Sequence, residues 1–90
     1  MSEKSMTINV YGRVQGVNYR NSAQQKAQSL GISGFAKNMP DGRVYIEAEG
    51  HADALEVFIE WCRQGPPMAI VSKVSTEQAE AFGHRDFRIR

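Results

Sequence analysis

The most informative stretch of this chain is Gly12-Arg13-Val14-Gln15-Gly16-Val17-Asn18-Tyr19-Arg20, which reads as a strand end, a tight loop and a helix start. Gly16 tolerates positive φ at little steric cost, so consecutive N–H groups of the loop are able to point at one spot. An anion at that spot would also lie near the helix N-terminus, where N–H groups lack partners. Arg20 adds a planar, permanently charged guanidinium that matches two phosphate oxygens. The stretch therefore predicts a phosphate-binding loop.

Hydrophobic periodicity outside this stretch predicts the other elements. Alternating apolar residues precede the loop, and apolar residues at helical spacing follow it as far as Gly31. The turn Pro40-Asp41-Gly42 is typical of a hairpin, and Gly65-Pro66-Pro67 ends a second amphipathic helix. Glu47 and Glu49 fall on the solvent-facing half of their strand. The predicted strands cover approximately 6–11, 33–39, 43–49, 69–75 and 87–90, and the predicted helices follow Gly16 and His51.

This order of elements predicts an α+β fold. A β-α-β-β-α-β chain with a short terminal strand indicates a ferredoxin-like sandwich, in which two helices pack on one face of an antiparallel sheet. Because the crossover between the first two strands makes them parallel, their C-terminal ends meet at one end of the sheet. We therefore expect Arg20 and Asn38 to lie close together. We expect a single domain over residues 6–90 and a flexible N-terminal tail over residues 1–5.

Composition excludes several classes of protein. The 90 residues include 11 basic and 10 acidic side chains, so the net charge of +1 lacks the basic excess typical of nucleic-acid-binding proteins. Cys62 is the only cysteine, which rules out an intramolecular disulfide and favours a reducing compartment. The sequence shows neither a signal peptide nor an apolar run of transmembrane length. We expect a cytoplasmic monomer with no membrane or nucleic-acid partner.

Two motifs together resemble those of the acylphosphatase family. The first is the loop stretch 12–20, and the second is Gly34-Phe35-Ala36-Lys37-Asn38 followed by Asp41-Gly42-Arg43-Val44. The resemblance extends over nearly the whole chain, and the two motifs at this spacing are far more specific than a glycine loop alone. The clearest departure is Phe35-Ala36, where the family usually has tryptophan and valine. Because neither position supplies a polar catalytic group, we expect only a change in packing or local stability.

The resemblance implies an enzyme that hydrolyses acyl phosphates to a carboxylate and inorganic phosphate without a metal or cofactor. Arg20 and the 15–20 loop would bind the phosphoryl group, and Asn38 would position the attacking water. Asparagine donates and accepts hydrogen bonds but is too weak a base to take the proton, so the substrate phosphate would accept it. The candidate phosphate-binding residues are Gln15, Gly16, Val17, Asn18, Tyr19 and Arg20, and the candidate catalytic residues are Arg20 and Asn38.

Three other functions remain open at this point. A phosphate-binding or small-ligand-binding domain could keep the loop without catalysis, and turnover would distinguish it from an enzyme. The chain could also correspond to the acylphosphatase-like part of larger carbamoyl-transfer proteins. An RNA-recognition module has the same element order, and Gly34-Phe35-Ala36 is similar to part of its core. However, Lys37-Asn38-Met39 follows in place of further aromatic residues that would stack on bases.

Overall fold

The structure is a computed structural model that describes residues 3–90. It contains every predicted element. In chain order these are β1 (Glu3–Arg13), α1 (Tyr19–Ser29), β2 (Ser33–Asn38), β3 (Val44–His51), α2 (Ala52–Gln64), β4 (Ile70–Ala79) and β5 (Phe87–Ile89). No helix within residues 3–90 is long and apolar enough to cross a membrane.

The five strands form one sheet in the order β4-β1-β3-β2-β5. β1 and β2 are both antiparallel to β3, which lies between them, so they are parallel to each other and their C-terminal ends meet as predicted. β5 pairs with β2 in parallel, so the sheet is mixed and not wholly antiparallel. The reason is the path of residues 80–86, which cross from the end of β4 to the start of β2, where Gly34 N–H donates to Asp86 O at 2.8 Å.

The N-terminal boundary differs from the prediction. β1 begins at Glu3, and residues 3–5 pair with residues 49–51 of β3. The Ser5 side chain is buried and its hydroxyl donates to the Glu49 carboxylate at 2.7 Å. The prediction of a flexible tail over 1–5 is therefore wrong for residues 3–5, because polar residues are stabilised there by strand pairing. Met1 and Ser2 lie outside the described residues.

Both helices pack on one face of the sheet, as the ferredoxin-like topology predicts. Tyr19 joins them, because its hydroxyl donates to Cys62 O at 2.7 Å and so caps a carbonyl in the last turn of α2. The core between helices and sheet is a single apolar cluster that includes Ile8, Val10, Ala23, Ala27, Val44, Ile46, Ala48, Leu55 and Phe58. One layer of helices thus leaves the other sheet face available for residues 80–86.

Candidate active site

A small cavity lies where β1 and β2 end and α1 begins. Its volume is about 160 Å³, and much of its lining is polar. Arg20 and Asn38 both line it, so the structure brings together the two side chains that the sequence predicted to be close. The complete lining consists of Val14, Gly16, Asn18, Tyr19, Arg20, Asn21, Asn38 and Ile89.

The loop before α1 has two residues with left-handed backbone and several backbone N–H groups without backbone partners. Gly16 has φ 74° and Asn18 has φ 67°, and these two left-handed residues curl the chain around the cavity. Within residues 3–90, the backbone N–H groups of residues 16–20 donate to no backbone carbonyl. The first turn of α1 contains no acidic residue, so no carboxylate there competes for these donors. The loop therefore offers unpaired N–H groups and the positive end of a helix dipole.

Arg20 lies in the first turn of α1 and is held from one side. Its Nη1 donates to the backbone oxygen of Arg90 at 2.9 Å. A guanidinium has five N–H donors in a fixed fork, so one occupied donor leaves others for a phosphate oxygen in the cavity. Four residues further along α1, Gln24 Nε2 donates to Phe87 O at 2.9 Å. Two side chains one helical turn apart therefore join the helix to β5 and to the residue that follows it.

Asn38 is the last residue of β2, and its side chain faces the helices. It pairs in register with Val44, whose side chain is fully buried on the helix-facing side of the sheet. Among residues 3–90, Asn38 Oδ1 is the one buried side-chain oxygen or nitrogen without a hydrogen-bond partner. Buried polar atoms are normally paired, so this oxygen is an exception among the described residues.

Three of the residues predicted to bind phosphate direct their side chains elsewhere, namely Gln15, Val17 and Tyr19. Gln15 is absent from the lining, and its Nε2 donates to Met39 O at 2.8 Å and to Arg43 O at 3.0 Å. The Gln15 amide therefore ties the loop to the β2–β3 turn that follows Asn38. Val17 and Tyr19 are buried in the core at 8 % and 1 % exposure. These two residues can reach an anion only through their backbone N–H groups.

Sequence reasoning did not identify Val14, Asn21 and Ile89 as part of the cavity. Asn21 Nδ2 donates to Asn18 Oδ1 at 2.9 Å, which holds the side chain of a residue with left-handed backbone. Ile89 reaches the cavity because β5 pairs with β2, where it lies opposite Ala36. The alternation in 87–90 indicated a strand, but nothing in it indicated its neighbour in the sheet.

No residue that lines the cavity has a carboxylate or imidazole side chain. His84 is hydrogen bonded to the Glu47 carboxylate at 2.8 Å on the other face of the sheet. Within residues 3–90, no three His, Cys, Asp or Glu side chains form a group that could hold a metal ion. The chemistry available from these lining residues is therefore charge stabilisation and hydrogen bonding.

Comparison with known proteins identifies the family. The acylphosphatase family model matches residues 6–89. An acylphosphatase from Thermus thermophilus is 50 % identical over 80 residues, which cover 89 % of this chain and 91 % of that protein. The structure of an acylphosphatase from Coxiella burnetii superposes with a TM-score of 0.95 at 39 % identity, covering 98 % of this chain and 93 % of the other. That of an acylphosphatase from Bacillus subtilis gives 0.94 at 38 % identity over 99 % of both chains. This chain belongs to the acylphosphatase family.

Proposed function

We propose that this chain hydrolyses acyl phosphates by holding the phosphoryl group with Arg20 and the 15–20 loop while Asn38 positions the water. Acyl phosphate hydrolysis is the activity of an acylphosphatase, and family membership extends over 6–89. The binding-module alternatives are not favoured by this membership. The roles are supported by position for the residues that line one cavity, which are Gly16, Asn18, Tyr19, Arg20 and Asn38. Gln15 and Val17 belong to the same loop but do not line the cavity.

The observation that carries the residue assignment is that Asn38 and Arg20 line the same cavity, at the ends of β1 and β2. The side-chain amide of Asn38 has both donor and acceptor atoms, so it is able to hydrogen bond a water beside a phosphoryl group that Arg20 and the loop hold. The Asn38 amide is neutral, so it orients this water without removing its proton.

The reaction balances without a general base from the protein. Water oxygen forms a bond to phosphorus as the bond between phosphorus and the acyl oxygen breaks. The leaving carboxylate is a weak base, with a conjugate acid of pKa about 4 to 5, so it needs no proton from a side chain. The proton of the attacking water passes to a phosphoryl oxygen. Arg20 and the loop N–H groups stabilise the negative charge on the other phosphoryl oxygens.

The test is hydrolysis of benzoyl phosphate in the presence of a metal chelator, with inorganic phosphate as inhibitor. We expect turnover with competitive inhibition by phosphate. Arg20→Ala should abolish both, because it removes the charged donor from the cavity. Arg13→Ala is the matched control, because it removes an equal charge from an exposed position just before the same loop. Phosphate binding without turnover by the unaltered protein would instead support a non-catalytic binding domain.

We further propose that the chain acts as a cytoplasmic monomer and binds no nucleic acid. Support comes from the net charge of +1 and the single core formed by the described residues. Size-exclusion chromatography with light scattering checks the monomer, and titration with single-stranded RNA at low salt checks the absence of RNA binding. A stable dimer or salt-dependent RNA binding would contradict these two expectations.

A further inference from the structure

Arg90 links the outer face of the sheet to the active-site arginine. Its guanidinium carbon lies 4.2 Å from the centre of the Phe35 ring. Its backbone N–H donates to Ala36 O at 2.9 Å, and its backbone oxygen accepts from Arg20 Nη1 at 2.9 Å. One residue therefore stacks on Phe35 with its side chain and holds Arg20 with its backbone.

Phe35 provides a fixed platform for this stacking. It is 7 % exposed and lies on the central part of β2, which is paired on both sides by β3 and β5. The His84 ring packs edge-on against it with centroids 5.6 Å apart, and the Tyr45 ring packs at 5.9 Å. A ring confined in this way has little freedom to follow a moving guanidinium. Phe35 therefore helps to fix Arg90 through its side chain, in addition to the backbone hydrogen bond to Ala36.

We infer that Phe35 and Arg90 are positioning residues that pre-organise Arg20 for the phosphoryl group, an inference that rests on the proposed role of Arg20. Arg90 follows a strand of only three residues, so few backbone contacts fix its oxygen. An arginine side chain loses considerable rotamer freedom when it binds an anion. A well-placed Arg90 oxygen imposes part of this ordering before substrate arrives, and this strengthens phosphate binding.

The alternative is that the stacking stabilises the terminal strand and has no effect on Arg20. The two explanations predict different effects when the Phe35–Arg90 contact is removed. Under the alternative, the midpoint of unfolding falls but phosphate affinity stays the same. Under the positioning account, the inhibition constant for phosphate and the KM rise together, while kcat changes less. This split follows because the Arg20 guanidinium contacts the phosphoryl group both before and during the reaction.

The first experiment compares Arg90→Ala with Arg88→Ala in the benzoyl phosphate assay. Arg88 lies on β5 and pairs with Asp86, so its loss removes an equal charge from the same segment. We expect Arg90→Ala to raise the phosphate inhibition constant and KM by about three- to tenfold, as the loss of a cation–π contact would. Arg88→Ala should change them by less than about twofold, because exposed ion pairs contribute little. Equal inhibition constants for the two variants would overturn the inference.

The second experiment separates stacking from charge. Phe35→Leu keeps the charge of Arg90 but removes its aromatic partner, so it should raise the inhibition constant by a factor similar to that of Arg90→Ala. Phe35→Trp restores an aromatic face and should keep the inhibition constant of the unaltered protein. The double variant should be no worse than either single one, because both remove the same contact. Additive effects would contradict the inference, even if Phe35→Leu is also less stable.

Arg20→Ala distinguishes a failure of this inference from a failure of the proposed function. If Arg20→Ala leaves phosphate inhibition intact, Arg20 does not bind phosphate. The proposed positioning role of Phe35 and Arg90 is then wrong as well. If Arg20→Ala abolishes inhibition while Arg90→Ala behaves like Arg88→Ala, the proposed function stands and only the positioning role is wrong. In the Arg20→Ala background, residual phosphate affinity should not respond to Arg90→Ala.

Discussion

Residues of the β1–α1 loop and of the first turn of α1 differ in the burial of their side chains. Arg20 lines the cavity, whereas Val17 and Tyr19 place their side chains in the core. This division keeps the N–H groups in position, because the loop is anchored by buried side chains on the opposite side. The Gln15 side chain also anchors the loop, because its amide donates hydrogen bonds to two carbonyls of the β2–β3 turn.

The sequence was sufficient to predict that Arg20 and Asn38 lie close together. It was not sufficient to predict the hydrogen bonds of the Gln15 side chain. The closeness of Arg20 and Asn38 follows from local patterns plus the right-handed crossover, which brings the ends of β1 and β2 together. Gln15 bonds to carbonyls 24 and 28 residues away, and the distance along the chain gives no local signal for such contacts. The contact of the Gln15 side chain with the β2–β3 turn could therefore not be predicted, and phosphate binding through the Gln15 backbone stays a prediction.

At Gly34 the backbones of β2 and β3 approach so closely that a side chain has no room. It has φ 147°, and a Cβ there would lie 1.7 Å from the backbone oxygen of Glu47. Gly34→Ala should therefore lower the free energy of unfolding by about 3 kcal/mol, because a paired strand must shift. Gly83→Ala is the control, since Gly83 also has positive φ but no atom within 4 Å, and should cost only about 1 kcal/mol. Urea denaturation checks both variants, and equal losses would contradict this reading of the sheet.

Residues 80–86 cover a face of the sheet that the sequence predicted to be exposed to solvent. Glu49 accepts from the N–H groups of Phe82 at 2.5 Å and His84 at 2.8 Å, and Glu47 bonds the His84 ring. The prediction that Glu47 and Glu49 face solvent is wrong for this reason. Alternation correctly assigned the strand face, but it cannot reveal a segment that returns over that face from more than thirty residues away.

The same reasoning explains which parts of the fold were predictable. The helices and strands follow from periodicity, glycine stops and the Pro40-Asp41-Gly42 turn, all of which are local. The parallel pairing of β5 with β2 depends on where residues 80–86 cross the sheet, and this path is fixed by the acceptors on β3. The Ile89 side of the cavity and the Arg90 contact with Arg20 could not be predicted without that path.

Glu49 makes the attachment of residues 80–86 sensitive to pH. Partial burial raises the pKa of its carboxyl, but the Ser5 hydroxyl and the N–H groups of Phe82, Gly83 and His84 lower it to about 2. Because the folded pKa lies below the ordinary value of 4.5, this carboxylate stabilises the fold above about pH 4.5. The stabilisation should be lost as the pH falls from there toward 2.

Urea denaturation of Glu49→Gln between pH 2 and 7 checks this linkage. The unaltered protein should be more stable than Glu49→Gln above about pH 5, and the difference should shrink as the pH falls through the folded pKa of about 2. Glu56→Gln on the exposed side of α2 makes the same chemical change away from residues 80–86 and serves as control. A difference that stays constant down to pH 2 would argue against the Glu49 contacts.

One apolar core joins the sheet to both helices. Cys62 lies in this core with no exposed surface, and burial raises the pKa of its thiol to about 12. Two effects therefore protect it, since the reagent cannot reach the sulfur and the reactive thiolate is scarce. As the only cysteine in the chain, it reports directly on opening of the core.

Thiol labelling with a disulfide reagent should consequently follow global unfolding. In native buffer we expect labelling at least about 10³-fold slower than in concentrated urea, as a folding free energy of several kcal/mol requires. The labelling rate should increase with urea in parallel with the unfolded population. Rapid labelling without denaturant would mean that the core opens locally around α2.

Asn38→Ala separates the proposed positioning of water by Asn38 from the proposed binding of the phosphoryl group by Arg20 and the loop. We compare its kcat for benzoyl phosphate with its inhibition constant for inorganic phosphate. We expect kcat to fall by about 10²-fold or more and the inhibition constant to stay within about threefold of that of the unaltered protein. Near-normal kcat, or a loss of phosphate inhibition in proportion to kcat, would mean that Asn38 does not have this role.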